Sequence, residues 1–119
     1  MTESPYAYEY ERQRAGQLAL GRLLSRAVKA GLRPLSWIVS PQGVLIGQAS
    51  GAQSRADLER LFEHWVAFLG EGLVREADQI SMSTSEVVKT AHTTQAPGTG
   101  QGITVRLRIT VTSDWEPYL

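Results

Sequence analysis

Apolar residues recur at two different periods along this chain, and the switches between them divide it into helices and strands. Leu20, Leu23, Leu24, Ala27, Val28 and Gly31 recur at helical spacing and predict a helix over 11–32. Gly31 closes that helix and Pro34 forbids its continuation. Over 35–50 the period drops to two. Leu35, Trp37 and Val39 alternate with Ser36, Ile38 and Ser40, and Ser40-Pro41-Gln42-Gly43 carries turn chemistry. Val44 to Ala49 return as a second strand, in which Gly47 marks a bulge or a close contact with a helix. The helical period resumes over 54–69. Ser54 is an N-cap with Asp57 three residues on, Gly70 is the stop, and Leu58, Leu61, Phe62, Trp65, Val66, Phe68 and Leu69 form a broad apolar face. Residues 78–91 predict a third strand, with a bulge expected at the adjacent Val87 and Val88. Residues 92–102 form a Gly/Pro/Thr loop. Over 103–112, Ile103, Val105, Leu107, Ile109 and Val111 alternate with Thr104, Arg106, Arg108, Thr110 and Thr112 as a fourth strand.

The order α-β-β-α-β-β predicts an α+β fold, a two-layer sandwich of one four-stranded antiparallel sheet with two helices on one face. Residues 1–10 read as an N-terminal tail and 11–119 as a single domain. The other sheet face, carrying Arg106, Arg108 and the threonines, is left for solvent or a partner.

Composition narrows the chemistry. At 119 residues, with 42% hydrophobic and 20% charged, the chain has ordinary globular usage. It has no cysteine, which excludes disulfides, thiol catalysis and thiolate zinc sites and fits a cytoplasmic setting. Met1-Thr2-Glu3-Ser4-Pro5 has no basic region followed by an apolar run, so no signal peptide is expected. No apolar run approaches the ~18 residues of a membrane span. Twelve basic residues balance twelve acidic ones, so any electrostatic site must be local.

Two features point to partner binding. Arg22, Arg26, Lys29 and Arg33 fall at i, i+4, i+7 and i+11, a basic stripe opposite the apolar side of the first helix. Between Arg12 and Arg33 there are six basic residues and no acidic one. A solvated helix face would look the same, but a phosphate backbone or an acidic partner would relieve the repulsion between these charges. Tyr6, Tyr8 and Tyr10 alternate, so an extended segment would show three rings on one side, against a partner strand or folded over the protein's own surface. Arg106 and Arg108 offer an anion-binding pair, although Arg and Thr are ordinary on a wet sheet face.

Catalytic chemistry finds little support. His64 sits on the polar side of the second helix and His92 at a loop start. No nucleophile elbow surrounds Ser81, Ser83 or Ser85. Gly98-Thr99-Gly100-Gln101-Gly102 precedes a strand and not a helix, so it is neither a phosphate loop nor a dinucleotide fingerprint. No catalytic residue, metal ligand or cofactor is assigned.

Through Leu35-Ser36-Trp37-Ile38-Val39, Gly43-Val44-Leu45-Ile46-Gly47 and the helix around Trp65, the chain resembles small proteins of GC-rich actinobacteria and their phages. The resemblance carries no catalytic motif and implies origin more than activity. The helix–hairpin–helix order is also similar in topology to the roadblock-type dimerisation fold. The expected function is non-enzymatic binding through protein–protein contacts, of a phage- or mobile-element-encoded kind. Open sheet edges allow a homodimer. The alternative is a nucleic-acid-binding accessory protein that places the basic stripe on phosphates.

Overall fold

A computed structural model describes residues 5–49, 54–70, 72–81, 83, 85–100 and 102–112 of the chain. Its elements are α1 (Ala7–Lys29), β1 (Ser36–Val39), β2 (Leu45–Ala49), α2 (Arg55–Leu69), β3 (Val74–Arg75), β4 (Gln79–Ser81), β5 (Glu86–Thr93) and β6 (Val105–Thr112). The α+β class is as expected. The sheet departs from the expected four antiparallel strands. Among the described residues it has six strands in the order β1-β2-β6-β5-β3, and β4 also pairs with β5. It is mixed, because β2 and β6 run parallel, with Leu45 beside Val105 and Ala49 beside Ile109. The long excursion through α2 and β3–β5 supplies the crossover that a parallel pair needs. Alternation along a strand shows which face is buried but not which neighbour it pairs with.

The single strand expected over 78–91 is two. The chain reverses between Ser81 and Glu86, with Ser85 at φ 56°, and β4 folds back on β5 with Ile80 opposite Val87. No bulge forms at Val87 and Val88, since β5 pairs with β6 in unbroken register from Glu86↔Thr112 to Thr93↔Val105. β3 is only two residues long, both exposed, and so offers no alternation to read.

The hairpin forms as its turn residues dictate. Gly43 takes φ 81° and its N–H donates to the Ser40 carbonyl at 2.9 Å. Gly47 marks neither a bulge nor a helix contact. It lies opposite Trp37, and a Cβ there would fall 2.8 Å from the indole ring, which lies across the bare backbone. Gly16 and Gly43 seat α1 on the turn: a Cβ on Gly16 would lie 2.9 Å from Val39 Cγ1, and one on Gly43 would lie 2.7 Å from the Arg12 carbonyl.

Both helices cover one face of the sheet. β6 supplies Val105, Leu107, Ile109 and Val111 to the core, and α2 supplies Leu58, Leu61, Phe62, Trp65 and Leu69. Trp65 is fully enclosed. Its Nε1 donates to the Arg33 carbonyl at 2.9 Å, and its ring meets Trp37 and Phe68 edge-on at 5.5 and 5.6 Å. The contribution of α1 differs from the expected one. Gly16, Ala19, Leu23 and Ala27 are buried and Leu20 is half-buried, whereas Leu24, Val28 and Gly31 face outward. Among the described residues no helix is long and apolar enough to cross a membrane. Trp115 lies outside the described residues.

Candidate partner-binding surfaces

The register of the strands sets out the helix-free sheet face residue by residue. One row crosses five strands as Ile38, Ile46, Arg106, His92 and Val74. The next row is Ser36, Gln48, Arg108 and Thr90. Val88 and Thr110 form a third pair. Because β6 is central, the alternation that buries Leu107 and Ile109 also holds Arg106 and Arg108 in the middle of the open face, both exposed. Aliphatic side chains flank them: Ile38 and Ile46 on one side, Val74 and Val88 on the other.

One carboxylate is held within this face. The Glu76 N–H donates to the Thr90 carbonyl at 3.0 Å, Thr90 Oγ1 donates to Glu76 Oε2 at 3.1 Å, and Glu76 Oε1 lies 3.0 Å from His92 Nδ1. The Thr90 hydroxyl, then His92, and more weakly the charge of Arg106 hold the Glu76 carboxyl below the usual range. His92 therefore lies within β5 facing Glu76, not at the loop start where the sequence placed it. Among the described residues no carboxylate lies within ion-pair distance of Arg106 or Arg108.

The basic stripe is exposed, but only three of its members are helical. Arg22, Arg26 and Lys29 lie on α1, and Arg33 follows in the connection whose carbonyl caps Trp65. Gly98 packs along this side of α1: a Cβ there would sit 2.9 Å from Arg26 Nε. Among the described residues none of the four has an ion-pair partner.

The tyrosines are not extended. Tyr6 is the N-cap of α1, and Tyr8 and Tyr10 lie in its first turns, so the Tyr8 ring diverges from those of Tyr6 and Tyr10. Tyr8 stacks under the Arg12 guanidinium, 5.7 Å from the ring centroid, and its hydroxyl accepts from Arg12 Nη1 at 3.3 Å. Tyr6 and Tyr10 line a shallow depression of about 370 Å³ with Glu9, Gln13 and Pro41. The structure thus puts Tyr6 and Tyr10 on one side of α1, Tyr8 on the side of Arg22, Arg26 and Lys29, and Arg33 beyond the helix end. It places Arg106 and Arg108 on the opposite layer.

Glu76, His92, Val74 and Ile46 were not singled out by sequence reasoning. The alternation of β2 and β5 marks Ile46 and His92 as facing away from the helices, but Glu76 lies outside any regular strand. A second polar cluster edges the helix-covered face. There Glu63 accepts both Arg75 Nη atoms at 2.8 and 2.7 Å, and Lys89 donates to Asp78 at 2.9 Å. The Arg75 hydrogen bonds hold the Glu63 carboxyl below the usual range. Among the described residues no three His, Asp or Glu side chains converge on a metal-sized space. No family model, curated protein or solved structure matches the chain.

Proposed function

We propose that this protein is a non-enzymatic binding protein that works through protein–protein contacts and docks an acidic, partly apolar segment of its partner on the helix-free sheet face. The observation that carries this reading is the pair Arg106 and Arg108, exposed at the centre of a face that no helix covers and lacking ion-pair carboxylates among the described residues. Arginine flanked by aliphatic side chains matches the composition of interface cores, and an acidic partner complements it. Affinity capture from nuclease-treated lysate of the source cell, with wild type and Arg106→Glu/Arg108→Glu side by side, tests it. The double reversal should lower capture at least about tenfold, equivalent to ~1.4 kcal/mol. Equal capture by both forms contradicts the proposal.

A second reading rests on α1. Arg22, Arg26, Lys29 and Arg33 are exposed cations without ion-pair partners among the described residues, and a nucleic-acid backbone would satisfy them. This reading requires binding of duplex or single-stranded probes at about 50 mM salt that falls steeply as salt is raised. Absence of binding at low salt eliminates it.

A further inference from the structure

We propose that the free edge of β1 and the outer side of α1 form one continuous surface that a second copy of this chain occupies about a two-fold axis. The inference is independent of the open-face reading, because it uses neither Arg106 nor Arg108.

Among the described residues, β1 has β2 on one side and no strand on the other. The Ser40 N–H donates to the Val44 carbonyl at 2.9 Å, so the even-numbered positions of the hairpin face β2. The alternation of antiparallel pairing then turns the N–H and C=O groups of Trp37 and Val39 outward. One of these outward groups already has a partner, since Gln13 Nε2 of α1 donates to the Val39 carbonyl at 2.9 Å. That bond places the Gln13 side of α1 at the sheet edge.

The same side of α1 carries a second stripe. Tyr10, Arg14, Gln17, Gly21, Leu24 and Val28 recur at alternating spacings of four and three, about 140° round the helix from the buried Gly16, Ala19, Leu23 and Ala27. Of its apolar members Val28 is 77% exposed, Tyr10 63% and Leu24 36%, and the adjoining Leu18 is 66% exposed. Gly21 near the helix midpoint has no internal reason to be glycine, since a Cβ there would meet nothing within 4 Å. With Arg14, Gln17 and Leu18 it lines a shallow depression of about 390 Å³. A bare position at the midpoint lets a second helix approach closely.

A second copy satisfies all of these features. Antiparallel pairing is the arrangement in which one strand edge complements itself under a two-fold. An axis at Ile38 pairs Trp37 with the partner's Val39 by two backbone hydrogen bonds on each side. It also brings the two Ile38 side chains face to face, where Ile38 is otherwise 47% exposed. Because Val39 lies against Gly16, one strand residue back along β1 falls about two helical residues further on, beside Leu18. The axis therefore crosses α1 near its midpoint.

Sedimentation equilibrium of the full chain tests the proposal, with Gly21→Glu and Ile38→Lys as separate variants and circular dichroism as the check on folding. Gly21→Glu adds a helix-favouring residue where a side chain has open space, and Ile38→Lys places like charges across the axis. The wild type should sediment at about 100 µM as twice the 13.1 kDa chain. Each variant should remain folded and weaken association at least ~10-fold. A monomeric wild type at that concentration overturns the proposal, as does either folded variant associating like the wild type.

Discussion

The two helices lie on the same sheet face yet use their apolar residues in opposite ways. α2 is self-contained. The Ser54 hydroxyl accepts the Asp57 N–H at 3.1 Å, Arg55 pairs with Glu59 at 2.8 Å, and Leu58, Leu61, Phe62, Trp65 and Leu69 are all buried beneath it. α1 is half again as long, 23 residues against 15, and among the described residues no side chain caps its start. Its buried side is mostly small, with Gly16, Ala19 and Ala27 around Leu23, while Leu18, Leu24, Val28 and three tyrosines face water. α1 thus buries one stripe of mostly small residues and carries further apolar side chains outside it. The difference separates the residues that hold this chain together from those available to another molecule.

Truncation of the enclosed indole should break the comparison most strongly. Trp65→Ala removes a core ring and orphans the Arg33 carbonyl, and should cost ~3–5 kcal/mol by urea unfolding. Val28→Ala, in the outer stripe, should change the stability of the dilute monomer by less than about 0.5 kcal/mol. Comparable losses at the two positions would erase the distinction. Next in size, Ser54→Ala should lower stability by ~1 kcal/mol, because the Asp57 N–H loses its cap.

The smallest expected effect is one of pH. Glu63 and Glu76 are held below the ordinary carboxylate range by Arg75 and by Thr90 with His92, respectively. A carboxyl whose folded pKa is depressed adds stability above its unfolded value, about 4.3 for glutamate, and loses it as pH falls through the folded value. Melting temperatures should therefore drop as pH falls below that value, and Arg75→Gln should flatten the drop. Because both carboxyls are exposed, the change is small and shrinks further in high salt. A pH response identical in Arg75→Gln would remove Glu63 from the account.

The legible parts of the fold were those governed by local chemistry. Ser54, Gly70 and the seven apolar positions between them set α2 to the residue, and the Ser40–Gly43 turn set the hairpin. The alternation of β6 gave Arg106 and Arg108 their face. Pairing was not legible. Nothing in β2 or β6 announces that they lie side by side in parallel, because that neighbour relation is fixed by the packing of everything between them. Short polar strands escaped for a related reason: β3 and β4 are held by the edge of β5 and carry no periodic signal of their own. In α1, the apolar pattern over Leu20 to Val28 predicts one apolar side, yet Leu24 and Val28 are exposed. The buried stripe instead runs through glycine and alanine, whose smallness lets the helix sit close on the hairpin. Tyr6, Tyr8 and Tyr10 alternate as a strand would, yet they belong to the start of a long helix whose cooperativity overrides a three-residue pattern.

The contrast between the helices is most directly read from amide hydrogen exchange at Trp37 and Val39, followed as protein concentration is raised. These two N–H groups point away from β2 and should exchange rapidly in dilute solution. They should slow together as the chain associates through the β1 edge and α1, while the α2 amides keep the same rates throughout. Exchange at Trp37 and Val39 that is unchanged by concentration, or slowing that appears in α2 instead, would contradict the account.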